Sequence, residues 1–97
     1  MAAIEVRRAS SEDSLPRFRV TVRDEDGSTS VHEVTVSLAD FERLGRKFRR
    51  LDEFVRASVQ FLLEREPKES ILPSFDVSTI SSYFPEFEDQ ISQTSPY

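Results

Sequence analysis

The chain contains no cysteine, which excludes a disulfide framework and a thiolate centre and fits a reducing compartment. Its two glycines, Gly27 and Gly45, are too few and too far apart for a dinucleotide fingerprint, a Walker loop or a nucleophile elbow. One histidine, His32, leaves no set for a His/Cys zinc site, and a lone imidazole on a strand is expected to be structural, packed on or hydrogen-bonded to a helix layer. No apolar run approaches the length of a membrane span. Glu5, Arg7 and Arg8 interrupt the stretch where a signal peptide would need its apolar core. The expectation is a cytoplasmic protein with no membrane segment, no metal, no cofactor and no catalytic residue.

What is present is one modest core's worth of apolar residues in 97, including eight phenylalanines, too many for a wholly disordered chain. Arginine dominates the basic residues, with lysine only at positions 47 and 68, a bias associated with GC-rich bacterial genomes. Charge is uneven: residues 1–36 carry a net −2, residues 37–63 a net +2 and residues 64–97 a net −5. An acidic chain is a poor general binder of polyanions, so nucleic acid is not the expected partner.

Periodicity predicts an α+β fold, an antiparallel β-hairpin at about 17–36 packed against two or three helices at about 38–45, 52–66 and 77–83. Phe18, Val20 and Val22 alternate with Arg17, Arg19, Thr21 and Arg23, the period of a half-buried strand. Asp24 to Gly27 is turn chemistry, and a β-rich run follows from Thr29 to Val36. A two-residue turn would place Glu33 on the buried face opposite Val20. A three-residue loop instead pairs His32 with Val20 and Val34 with Phe18, and it requires Gly27 at positive φ. The acidic triplet Asp24, Glu25 and Asp26 lacks the glycine spacing of a calcium loop, so the turn reading is preferred.

Ser37 is placed to cap the first helix, with Leu38, Phe41 and Leu44 on one side and Gly45 at its end. The longest helix runs from Leu51 or Asp52 to Glu66, before Pro67. Its apolar positions sweep roughly 200°, wider than one covered stripe, so it must be covered on two sides, by the hairpin and C-terminal segment or by a second copy. Asp76 or Ser78 can cap a third helix through Tyr83. Residues 1–16 read as a flexible arm, with Ile4 and Val6 as a candidate short edge strand, residues 17–89 as one compact domain, and residues 90–97 as a flexible tail.

The candidate interaction surface is the basic run Arg43, Arg46, Lys47, Arg49 and Arg50, with Phe48 inside it; cations at a helix end also complement the dipole. The carboxylates Glu64, Glu66, Glu69, Asp76, Glu86, Glu88 and Asp89 read as solvated surface, an acid/base pair being the alternative.

Residues 37–66 resemble ribbon-helix-helix DNA-binding proteins, in which two helices follow a strand, and Asp52-Glu53-Phe54-Val55-Arg56-Ala57-Ser58 is similar to their second helix. Glu33 and Thr35 stand where that family would want a cation. The run Phe61 to Leu72, followed by Phe75-Asp76-Val77 and by Tyr83 to Glu88, resembles small uncharacterised bacterial proteins, a likeness that spans about residues 18–89 and implies no activity. The first expectation is therefore a non-enzymatic protein-protein interaction module with an unknown protein partner, with a homodimer through Phe54, Val59 and Leu63 as one form. A ribbon-helix-helix-like DNA-binding regulator is the alternative, and a small carboxylate-based enzyme the second alternative.

Overall fold

The computed structural model describes residues 2–9 and 16–93. Three strands, β1 (Ala3–Ala9), β2 (Arg17–Arg23) and β3 (Thr29–Thr35), precede two helices, α1 (Leu38–Leu44) and α2 (Leu51–Leu63). A 3-10 turn (Lys68–Ser70), the short strand β4 (Ser74–Asp76) and helices α3 (Val77–Tyr83) and α4 (Phe87–Gln93) follow. The sheet order is β1-β2-β3-β4, antiparallel except for the parallel β3–β4 pair.

The hairpin follows its residues closely. Val20 pairs with His32 and Phe18 with Val34. The loop closes through Asp24 N–H to the Ser28 carbonyl (2.9 Å) and Gly27 N–H to the Asp24 carbonyl (3.0 Å), with Gly27 at φ +88°. A left-handed residue at that position lets the turn match the strand twist, and the resulting register keeps Glu33 off the buried face. Asp26 tightens the loop by accepting from the Ser28 amide (2.9 Å) and hydroxyl (2.7 Å).

The sheet is larger than the expected hairpin, and among the described residues the α-helices number four. The segment assigned to an N-terminal arm forms β1 over Ala3–Ala9 and pairs with the whole of β2; Ile4 is buried and Val6 packs against the core. The alternation of Ile4 and Val6 is short because Arg8 takes the next inward position, where it lies 5.7 Å from the centre of the Phe18 ring. The rest of that arm, residues 1 and 10–15, and the end of the expected tail, residues 94–97, lie outside the described residues. Residues 90–93 belong to α4, anchored by Phe87 and Ile91, both essentially fully buried. One apolar pair at i, i+4 suffices to seat a short helix that is otherwise polar.

Helix α2 ends at Leu63, three residues earlier than expected, since Pro67 restricts Glu66 and the last turn is held instead by Glu66 N–H to the Leu62 carbonyl (2.9 Å). Its breadth is covered within one chain. Phe54, Val55 and Val59 are fully buried, with β1 and β2 on one side and α3 and α4 on the other. Two edge-to-face aromatic groups pin its halves: Phe54 with Phe41 and Phe48 (5.7 and 5.8 Å), and Phe61 with Phe84 and Phe87 (5.9 and 5.0 Å). Phe54 and Val59 of the expected dimer face are thus buried within one chain, while Leu63 is partly exposed. Buried Ser58 is satisfied by donating to the Phe54 carbonyl (2.9 Å). Leu38, expected on the apolar side of α1, is 56% exposed, while Ser37 caps that helix by accepting from the Asp40 amide (3.0 Å).

Candidate functional site

An open apolar groove lies where the chain turns back after α2. Pro67 ends any helical continuation, and the 3-10 turn reverses the chain toward the sheet. Lys68 anchors the reversal: its ammonium, with only 4% of the side chain exposed, donates to Asp24 (2.7 Å), Ser28 (2.8 Å) and Glu69 (2.8 Å). The bond to Asp24, then that to Glu69, raises the lysine pKa above its ordinary value, and the same contact holds Glu69 below the usual carboxylate range. This one side chain ties the hairpin loop to a segment more than 40 residues later.

The next residues hang on β3. His32 Nδ1 donates to the Leu72 carbonyl (2.8 Å), so in the neutral ring Nε2 accepts from the Ser30 hydroxyl (2.8 Å). His32 is 3% exposed, in keeping with a structural role, and its hydrogen bond goes to the returning segment. The Glu33 amide donates to the Pro73 carbonyl (2.8 Å), which starts the parallel β3–β4 pairing. Asp76 closes the arrangement, accepting from Thr35 (2.6 Å) on β3 and from the Ser78 amide (3.0 Å) and hydroxyl (2.7 Å) at the start of α3. Burial pushes the Asp76 carboxyl up, but the bonds from Thr35 and Ser78 outweigh it and leave the pKa below its ordinary value.

Between this segment and α3 lies an open groove of about 310 Å³. Its inner wall is the buried pair Ile71 and Ile80 with the end of α2 at Leu62, and Phe75 and Phe84 flank it. Leu72 (46% exposed) and Tyr83 (68% exposed) stand at its mouth, and Glu66 supplies one carboxylate at the rim. The arrangement can bury a large apolar group and place a cation beside it; Ser70 and Thr79 are the other polar residues of its lining.

The residues singled out from sequence do not converge there. Arg43 bonds Glu88 (2.7 Å) and Asp40 (3.3 Å), which ties α1 to α4, and those partners raise its pKa. Arg50 pairs with Asp52 (3.1 Å). Phe48, inside the run, is buried against Phe54. Arg46, Lys47 and Arg49 are exposed around the α1–α2 turn. The carboxylates are dispersed too: Glu69 on Lys68, Asp76 at its cap, Glu86 on Arg65 (3.3 Å) and Glu88 on Arg43. Among the described residues no group of three His, Cys, Asp or Glu side chains could hold a metal ion. No helix among them is long and apolar enough to cross a membrane.

No family model, no curated protein and no solved structure matches the chain. The groove itself was legible only as an excess: Ile71, Leu72, Phe75, Tyr83 and Phe84 are more apolar residues than a linker and a two-turn helix need to seat themselves.

Proposed function

We propose that the chain is a non-enzymatic protein-protein interaction module, and that it captures an extended peptide segment by one large apolar side chain flanked by a cation. The observation that carries this reading is the pair of exposed apolar side chains, Leu72 and Tyr83, at the mouth of a groove whose inner wall is already core. Small monomeric domains rarely expose such side chains around a concavity without a partner. The cation follows from charge: Glu66 lies at the rim, and residues 64–97 carry a net −5. The three-residue edge strand β4 borders the groove and adds a short run of backbone to which an extended segment can bond.

Selection of peptides from a random library on the whole chain tests this. Enriched sequences should share a Phe, Leu, Ile or Met next to Lys or Arg, and should lose binding to Tyr83→Ser and Leu72→Ser. Enrichment of acidic sequences that instead depend on Arg46 would favour the basic run.

The DNA-binding alternative has less support. The strand before the two helices, β3, is central, bonded to β2 and β4, and its outward side chains Val31, Glu33 and Thr35 include a carboxylate and no cation. The regulator reading therefore rests on the exposed cations of the 43–50 run or on the outward Arg17, Arg19 and Arg23 of β2, and a steep salt dependence of duplex binding would be its signature.

A further inference from the structure

The free edge of β1 carries an inference that does not use the groove. Val36 N–H donates to the Pro16 carbonyl (3.1 Å), so the even-numbered residues of β2 and β3 bond each other. Antiparallel alternation then turns the odd residues of β2 toward β1, where Thr21 meets Glu5 and Arg19 meets Arg7. The N–H and C=O groups of Ile4, Val6 and Arg8 consequently point outward, and β1 has no second neighbour among the described residues. Ala3–Ala9 is seven residues long and contains no proline, glycine or lysine. Of the devices that usually blunt an exposed edge the strand has only its charges, Glu5 and Arg7, one of each sign on the outer face, and Arg8 at an inward position.

We infer that β1 is a homodimer interface, pairing antiparallel with β1 of a second copy about a twofold axis at Val6. Charge selects that register. Centring on Glu5 sets Glu5 against itself, and centring on Arg7 sets Arg7 against itself. Centring on Val6 sets Glu5 opposite the second copy's Arg7, twice, in non-hydrogen-bonded pairs where side chains approach most closely. It also bonds Val6 to its symmetry mate and Ile4 to the other copy's Arg8, which uses every outward backbone group of the strand interior. Within one protomer Arg7 faces Arg19 across the β1–β2 pair, a like-charge opposition relieved by Glu5 beside Arg7 (2.6 Å) and by Glu33 opposite Arg19 on β3. In the dimer a second carboxylate lies directly opposite Arg7 on its other side. The two sheets join into one of eight strands, with the grooves at its two far ends.

Sedimentation of the whole chain over a concentration series tests the interface. The wild type should dimerise within the range of tens to hundreds of micromolar. Arg7→Glu and Glu5→Arg should each weaken dimerisation by about tenfold or more, and the double variant Glu5→Arg/Arg7→Glu should recover it. Arg7→Glu places its carboxylate opposite Arg19, which favours the folded protomer, so its thermal midpoint should hold while the dimer is lost. Because the native chain lacks cysteine, oxidising a mixture of Glu5→Cys and Arg7→Cys chains reads the register: the mixed disulfide should dominate. A wild type that stays monomeric at hundreds of micromolar, single variants that dimerise like it, a double variant that fails to recover, or predominant linkage of position 5 to itself would overturn the proposal.

Discussion

The hairpin at 17–36 and the returning segment at 67–93 are built by different means. In the hairpin, neighbours in sequence decide the structure: strict alternation chooses the buried face, and Gly27 chooses the loop. In the returning segment, short elements are placed by polar bonds to residues some 40 positions away, Lys68 to Asp24, the Leu72 carbonyl to His32 and Asp76 to Thr35. The first kind of structure exposes one large apolar side chain, Val31, whereas the second leaves Leu72 and Tyr83 at the surface around a groove.

Both regions lean on α2, so the largest effect should come from its centre. Phe54→Ala removes the ring that meets Phe41 and Phe48 and should destabilise the whole chain by ~3–5 kcal/mol, read as a single lowered denaturant midpoint. Separate transitions for the hairpin and the returning segment would show that they do not share one core.

Gly45→Ala comes next. A β-carbon there would lie 2.6 Å from Cδ1 of Phe41 and 3.0 Å from its carbonyl, so the ring packed on Phe54 must shift, at a cost of about 1–3 kcal/mol. Gly27→Val separates the regions better. Nothing crowds that position, yet its φ of +88° strains any β-branched residue, and about 1–2 kcal/mol should be lost. Amide exchange should accelerate in β2 and β3 before it does in α3.

How much of this was legible follows the same division. The hairpin register, the positive φ at Gly27, the Ser37 cap and the bounds of α3 rest on local rules and were readable from the residues concerned. The strand at Ala3–Ala9 was half-readable, because Arg8 breaks the apolar alternation at the inward position. The parallel pairing of β4 was not readable at all: three residues after a proline carry no period, and the bonds that place them come from β3. Helix α4 hid behind its polar composition, with only Phe87 and Ile91 to mark it. The basic run was the most visible charge feature, but Arg43 and Arg50 are engaged with nearby carboxylates, and its one aromatic is core.

The smallest stability effects sharpen the comparison from the other side. Asp76→Ala should cost about 1 kcal/mol, the scale of a helix cap, and should loosen α3 and β4 while leaving the hairpin protected from exchange. Because the folded-state pKa of Asp76 is depressed, its contribution is fully present above the ordinary aspartate value of ~3.9 and is lost as pH falls through the lower native value. Acid should therefore release α3 from β3 within that window, and Asp76→Asn should flatten this part of the profile. Tyr83→Ser should change stability by no more than ~0.5 kcal/mol, since the side chain is mostly exposed, while abolishing peptide binding.

Amide NMR spectra of the whole chain, recorded while a peptide bearing an apolar residue beside a lysine or arginine is titrated in, test the groove most directly. Shifts should concentrate at residues 71–75 and 79–84, leave the 24–28 loop and the 46–49 turn unmoved, and vanish in Tyr83→Ser. Shifts confined to 43–50, or a response indifferent to Tyr83, would contradict the assignment of function to the groove.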